Sequence, residues 1–148
     1  MVDDEWDYVG QVVVPGEAVS WKAPLQNRKT GITYSKSSMK NYENHVRDCA
    51  AASGVPMIDG PIFIQLTAIY SRPKRIIWKT RPMPRIPKDT YPDEDNILKS
   101  TQDGLHGVVF KNDAQVTDAF VQKRYAARTG TDEEPPRAII DIWKWRPE

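Results

Sequence analysis

Five side chains in the second half of the sequence have types and spacings suited to chemistry: Asp93, Asp95, Lys99, Asp103 and Asp113. If residues 93–95 are extended, the two-residue period puts Asp93 and Asp95 on the same side of the chain. Asp95, Lys99 and Asp103 follow at intervals of four, so they line one stripe of a helix that Asp95 would open. A strand and turn after that helix can bring Asp113 back toward the helix start, so that three carboxylates converge. Converging carboxylates raise one another's pKa unless a cation sits among them. Oxygen donors with no Cys or His partner suit Mg²⁺, with Mn²⁺ as a substitute, rather than zinc. Beside a basic surface, such an ion supports phosphodiester hydrolysis: it polarises the phosphoryl oxygen, generates hydroxide and steadies the leaving oxygen. Lys99 is then available to neutralise charge on the phosphate or to orient the attacking water. The same residues also have ordinary structural uses. Asp95 suits a helix N-cap, Asp113 a turn, and Asp95–Lys99 an i,i+4 ion pair worth roughly 0.3 kcal/mol.

Other motifs are excluded. With Asp93 as the first position of an EF-hand loop, Ile97, Leu98 and Gly104 occupy positions that need a ligand, a glycine and a glutamate. No nucleophile elbow, P-loop or dinucleotide fingerprint is present. His45 reads as a surface helix residue, His106 as a helix-end residue and Cys49 as core.

The elements that must position the acidic residues follow from periodicity. Gln11-Val12-Val13-Val14 reads as a strand, and Val19 to Thr33 as a basic loop or irregular hairpin. Ser37 or Ser38 can cap a helix running to about Ser53, with Tyr42, Val46, Cys49 and Ala50 on one face and Gly54 as its end. Ile62 to Tyr70 is the strongest strand, apolar enough to be central and covered on both faces. Residues 71–88 hold seven Lys or Arg, four prolines and no acid, which makes an extended loop. A helix from about Asn96 to Leu105 buries Ile97, Leu98, Thr101 and Leu105 and is ended by Gly107. Val108-Val109-Phe110 reads as a short strand, Lys111-Asn112-Asp113 as a turn and Gln115 to Tyr125 as a longer strand. After a polar loop over Thr129 to Pro136, Arg137 to Trp145 closes the chain as a last strand. The pattern describes an α/β (α+β) single domain, a mixed β-sheet with two helices over residues 11–148, preceded by an acidic tail over residues 1–10.

The 148 residues suffice for one core without disulfides, and the single cysteine fits a reducing, cytoplasmic setting. No apolar run approaches the ~20 residues of a membrane span, and the acidic start is unlike a secretory signal. A net charge of +1 argues against a polyanionic partner only if the charges are evenly spread, which they are not. Residues 1–10 carry four acids and no base, residues 11–90 thirteen bases against five acids, and residues 91–148 eight bases against eleven acids. A basic segment of this kind points to nucleic acid.

The segment Asp93-Glu94-Asp95-Asn96-Ile97-Leu98-Lys99, then Asp103-Gly104-Leu105, then Val109-Phe110-Lys111-Asn112-Asp113-Ala114-Gln115-Val116, resembles the RusA family of Holliday junction resolvases. Weaker agreement extends to the Val-Pro-Gly opening, the Tyr34-Ser35 lead into the first helix and Lys123-Arg124-Tyr125. The resemblance implies a homodimeric, Mg²⁺-dependent endonuclease without an organic cofactor that nicks four-way DNA junctions symmetrically, of a kind often encoded by bacteriophages. It matches the metal-binding aspartates to Asp93, Asp95 and Asp113, an important lysine to Lys99, and a recurrent acid to Asp103. The family's turn carries two acids, and the first is Asn112 here, so the ligand role stays with Asp113. Phosphate contacts are expected from Lys22, Arg28 and Lys29 in the first basic loop and from Arg72, Lys74, Arg75, Lys79 and Arg81 in the second. A junction has approximate two-fold symmetry, which a C2 dimer with one site per subunit matches. A nuclease of broader taste for branched DNA, or a non-catalytic DNA-binding protein of the same fold, fits the same residues.

Overall fold

The apolar run Ile62–Tyr70 forms the strand around which the molecule is built. The computed structural model describes residues 5–34 and 36–147; residues 1–4 of the expected tail, Ser35 and Glu148 lie outside the described residues. In chain order the elements are β1 (Trp6–Pro15), β2 (Leu25–Gln26), β3 (Thr33–Tyr34), α1 (Ser37–Ser53), β4 (Ile62–Tyr70), β5 (Ile86–Pro87), α2 (Glu94–Leu105), β6 (Val116–Tyr125), β7 (Arg128–Thr129), β8 (Asp132–Glu133) and β9 (Arg137–Trp145). The main sheet has the order β1-β9-β4-β6-β5. Its β4–β6 pair is parallel and the others are antiparallel, so this is a mixed sheet with two helices in an α+β domain.

Alternation decides which face is covered. Ile62, Ile64, Leu66, Ala68 and Tyr70 join Val12 and Val14 of β1, Ile140 and Ile142 of β9, Tyr42, Val46 and Ala50 of α1, and Ile97 and Leu105 of α2 in one buried cluster. Both helices therefore lie on that face. The expectation that β4 is covered on both faces holds for its second half, where Thr67 and Ile69 are buried as well; over its first half the face away from the helices is open, with Phe63 and Gln65 half-buried and Tyr8 and Phe120 exposed. Trp6, Phe63 and Trp143 meet there edge to face, with ring centroids 5.6 Å and 5.2 Å apart.

The helices touch closely. Gly104 of α2 lies so near α1 that a Cβ there would stand 2.6 Å from Val46 Cβ. A buried hydrogen bond of 2.9 Å joins the Tyr42 hydroxyl to Thr101 Oγ1 beside this contact. α1 ends as expected at Gly54, whose φ of 82° is costly for any residue with a side chain. Cys49 is half-buried rather than core, with its sulfur 3.8 Å from His45 Nδ1.

Several boundaries differ from the sequence expectation. The first strand starts at Trp6 rather than Gln11, because residues 6–8 pair with Trp145, Lys144 and Trp143 of β9. Residues 108–110 form a turn rather than a strand: Gly107 takes a φ of 88°, and the Val108 and Val109 N–H groups both donate to Leu105 O. Val109 and Phe110 are apolar because they plug the core from a loop that joins no sheet; Phe110 makes only an isolated bridge to His106. The polar loop after β6 contains the small β7–β8 hairpin.

Candidate active site

The first turn of α2 presents the acids. Asp93, rather than the expected Asp95, is the N-cap, and its carboxylate makes no cap hydrogen bond. Asp95 falls in the first turn with Glu94, where negative charge is favoured by the helix dipole. Its Oδ1 accepts only its neighbour's N–H, that of Asn96 at 2.9 Å, among the hydrogen bonds of the described residues. Asp93, Glu94 and Asp95 are all exposed. Hard carboxylate oxygens at an open helix start fit a divalent cation such as Mg²⁺, which accepts few protein ligands and keeps several waters. The stripe at intervals of four is real, but its ion pair is Lys99–Asp103, at 3.8 Å, rather than Asp95–Lys99. The Lys99 ammonium also lies 4.9 Å from the Trp21 ring centroid.

Asp113 is elsewhere. Its carboxylate stands 3.4 Å from Nδ1 of His106, the residue that caps the far end of α2, while His106 Nε2 bonds Lys111 O at 2.9 Å. A helix of 12 residues is about 18 Å long. The neighbouring strand gives the same answer. Lys123, near the end of β6, donates to Thr90 O and Pro92 O just before α2, at 2.7 Å each, whereas Asp113 precedes the start of β6. The seven residue-to-residue steps from Val116 to Lys123 span roughly 23 Å. Convergence of Asp93, Asp95 and Asp113 within one chain is therefore not found. α2 runs back along β6, so the turn that follows it is delivered to the opposite end. Among the described residues no three His, Cys, Asp or Glu side chains gather in a metal-holding group. Asn112 accepts the Ala114 N–H at 2.9 Å, and Gln115 accepts the N–H groups of Lys111 and Asn112 at 3.0 Å. Asn112 thus works as the cap of this turn.

Basic side chains surround the helix start. The first basic loop is tied to α2 by the Trp21 N–H, which donates to Asn96 O at 2.9 Å. Lys22 lies 5.3 Å from the Tyr91 ring centroid and holds the Tyr91 phenol below its ordinary pKa by hydrogen bonding. Lys88 sits over Tyr70 and Tyr125 at 5.1 Å and 4.8 Å. Lys22, Tyr91, Lys88 and Tyr70 border a groove of about 420 Å³ beside Pro92. Sequence reasoning missed Lys88 and Lys123 as parts of this rim. For Lys123 the signal was present, because its carbon stem shares the helix-facing side of β6 with Val121 and Tyr125.

The second basic loop divides. Lys74, Arg75, Lys79 and Arg81 are exposed, as are Arg28 and Lys29 at the tip of the β2–β3 hairpin. Arg72, expected on DNA, is 5% exposed and is spent inside the protein. Its guanidinium donates to the carbonyls of Ala126, Ile76 and Pro84, because a proline-rich loop leaves carbonyls without strand partners. Trp78 is flanked by two guanidinium groups, Arg81 at 3.8 Å and Arg72 at 5.0 Å from its ring centroid.

Open carboxylates at a helix start, set within a basic rim, are the equipment of a nuclease, and a family model described as Endodeoxyribonuclease RusA matches residues 15–134. The chain belongs to the RusA family of endodeoxyribonucleases. It is also 28% identical over 137 residues to the uncharacterized protein YqaN of Bacillus subtilis (strain 168), covering 87% of this chain and 92% of that protein. No helix among the described residues is long and apolar enough to cross a membrane.

Proposed function

We propose that this endonuclease resolves four-way DNA junctions by paired nicks, as a homodimer that uses Mg²⁺ or Mn²⁺. The observation that carries the reading is the start of α2. In a chain of this family, the Asp93 and Asp95 carboxylates open to solvent between two loops of exposed lysine and arginine. Asp93 and Asp95 would hold the ion, and Asp113 could join them only from the other subunit of the dimer, since the three do not meet within one chain. When bound, the ion would supply phosphoryl polarisation, a hydroxide from water and stabilisation of the leaving oxygen.

The protein's own groups have separate tasks. Lys99, held between Asp103 and Trp21, offers an ammonium one turn along the helix from Asp95, where it can meet a non-bridging phosphate oxygen. Lys22, Lys74, Arg75, Lys79, Arg81 and the hairpin pair Arg28 and Lys29 grip phosphates and orient the duplex arms without reading bases. Shape, rather than sequence, then selects the junction.

Incubating the protein with a synthetic four-way junction, with and without Mg²⁺, and mapping nicks on all four strands tests this directly. Symmetric nicks on opposing strands that require the metal support it. Equal cutting of flaps and linear duplex would reassign the protein to a broader branched-DNA or general nuclease, and no cutting of any DNA would remove the catalytic reading.

A further inference from the structure

Resting on the nuclease reading above, we propose that the pocket between the second basic loop and the β7–β8 hairpin binds one unpaired nucleotide of the DNA. Its base lies against the Trp78–Arg81 stack and its phosphate against Lys79 and Arg128. The pocket encloses about 730 Å³, within the range of roughly 300–1,000 Å³ that suits a small ligand. One base with its sugar and phosphate enters such a space, and a duplex arm does not.

Bonds elsewhere in the protein hold its walls in place. The Arg128 N–H donates to Met83 O at 2.8 Å, which carries the β5–β6 pairing three residues past Ile86 and Tyr125. Arg72 ties the loop to itself and to Ala126, and Arg85 reaches from the loop to Glu134. Ile77 and the buried Met83 supply apolar lining. Trp78 is half-buried, its backbone N–H 3.2 Å from the Met83 sulfur, and the Arg81 guanidinium lies 3.8 Å from the ring centroid. Bases stack on guanidinium planes as well as on aromatic rings, so this pair is a platform in place before any ligand arrives.

Charge and position narrow the ligand. Arg85 is neutralised by Glu134, and Arg128 has Glu133 at 3.9 Å. Among the described residues Lys79 and Arg81 form no ion pair, and no acid lines the pocket. Unneutralised cations around an apolar cleft suit an anion with a flat apolar part, which describes a nucleotide. The pocket lies just beyond the Tyr125 end of β6. At that same end Lys123 bonds Thr90 O and Pro92 O and so fixes the approach to Asp93. Pocket and acids therefore open at one end of the sheet. A strand unpaired at a branch point near Asp93 can set a base in the pocket, and intact duplex has none to offer. The pocket thus adds recognition of unpairing to the grip on phosphates.

Fluorescence anisotropy without divalent metal, so that nothing is cut, separates this site from the phosphate grip. The probes are a labelled blunt duplex, the same duplex with a short single-stranded thymidine tail, and the same duplex with an abasic tail that keeps the phosphates and lacks the bases. Wild type should bind the thymidine tail roughly tenfold tighter than either other probe. Thr129 lines the pocket from an exposed position, so Thr129→Tyr fills it without removing a charge. That variant should cut the preference to about twofold or less while blunt-duplex affinity holds. Trp78→Leu should do the same, whereas Trp78→Phe, which keeps a flat ring under Arg81, should retain most of the preference. If thermal unfolding shows that Trp78→Leu loosens the loop, Thr129→Tyr decides alone. An abasic tail bound as tightly as the thymidine tail would reduce the pocket to an anion site and overturn the proposal. A thymidine preference that survives Thr129→Tyr would overturn it equally. Metal-dependent junction nicking by a wild type that shows no tail preference defeats this proposal alone. A tail preference in a protein that cuts no DNA supports the pocket and defeats the nuclease reading alone.

Discussion

Asp93 and Asp113 stand at opposite ends of α2, one as its N-cap and the other against His106, which closes the helix. Both carboxylates are exposed, and neither holds the core together. On the proposed function, Asp93→Asn and Asp113→Asn should each lower Mg²⁺-dependent junction nicking at least 100-fold, since each would remove one charged ligand. Thermal unfolding should move little, within about 0.5 kcal/mol for exposed substitutions. Junction binding without the metal should persist in both. Loss of nicking together with loss of fold would mean that these acids are structural caps instead.

Arg72 and Arg75 are three residues apart in the same basic loop and should behave oppositely. Arg72→Ala leaves the carbonyls of Ala126, Ile76 and Pro84 without their donors and opens a buried space. It should cost roughly 2–4 kcal/mol in denaturant unfolding. Arg75→Ala, Lys79→Ala and Arg81→Ala touch exposed groups, so stability should hold while junction affinity falls and the salt dependence of binding flattens. For six or more phosphate contacts, raising salt from about 50 to 200 mM should weaken wild-type binding by about 10³ or more. Mobility-shift titrations at the two salt concentrations provide the measurement.

Glu134 fixes the second basic loop to the hairpin side of the sheet. Burial would raise the pKa of its carboxyl. Hydrogen bonds from Arg85, the Ala127 N–H and Arg137 more than offset this and hold it at about 2 against an ordinary 4.5. The Arg85 contacts include 2.9 Å to each Glu134 oxygen, and Ala127 N–H donates at 2.7 Å. A depressed pKa means that the unfolded chain binds the proton more readily, so this contribution is complete above about pH 4.5 and is lost as pH falls toward 2. Glu134→Gln should cost roughly 1–3 kcal/mol at neutral pH and flatten the acid limb of the stability profile between those values. An unchanged acid limb in urea unfolding would show that the clamp adds nothing.

The sequence was most legible where side-chain period and backbone agree. α1 and the strands over Ile62–Tyr70 and Arg137–Trp145 fall where the apolar spacing puts them. It misled where an apolar run filled the core from a turn, as with Val109 and Phe110, because hydrophobicity reports burial and not pairing. The candidate acids were visible from spacing, but their separation was not. Whether Asp113 returns to Asp93 depends on α2 running antiparallel to β6, a tertiary fact that no local pattern encodes. Arg72 illustrates the same limit: composition marks it as one more loop base, and only the packing of the loop turns it inward.

The position of α2, and so of the acids at its start, depends on the missing side chain of Gly104. A Cβ there would lie 2.6 Å from Val46 Cβ and 2.8 Å from the Glu43 carbonyl oxygen, well inside van der Waals contact. Gly→Ala in a helix interior ordinarily gains up to about 1 kcal/mol in propensity, so a net loss reports the clash directly. Gly104→Ala should destabilise by roughly 1–3 kcal/mol, the cost typical of overpacking a filled core. Truncation of the neighbour should recover only part of this. Val46→Ala clears the Val46 Cγ1 atom at 2.8 Å, but leaves the Cβ and the backbone carbonyl where they were. The double variant should therefore remain less stable than Val46→Ala alone. If the helices separate to relieve the contact, Lys99 and the acids shift relative to the first basic loop, which meets α2 at Trp21. Junction nicking should then fall more than junction binding, at a temperature where the variant is still fully folded. Equal stability of Gly104→Ala and wild type would show that α1 and α2 pack less closely than this contact requires.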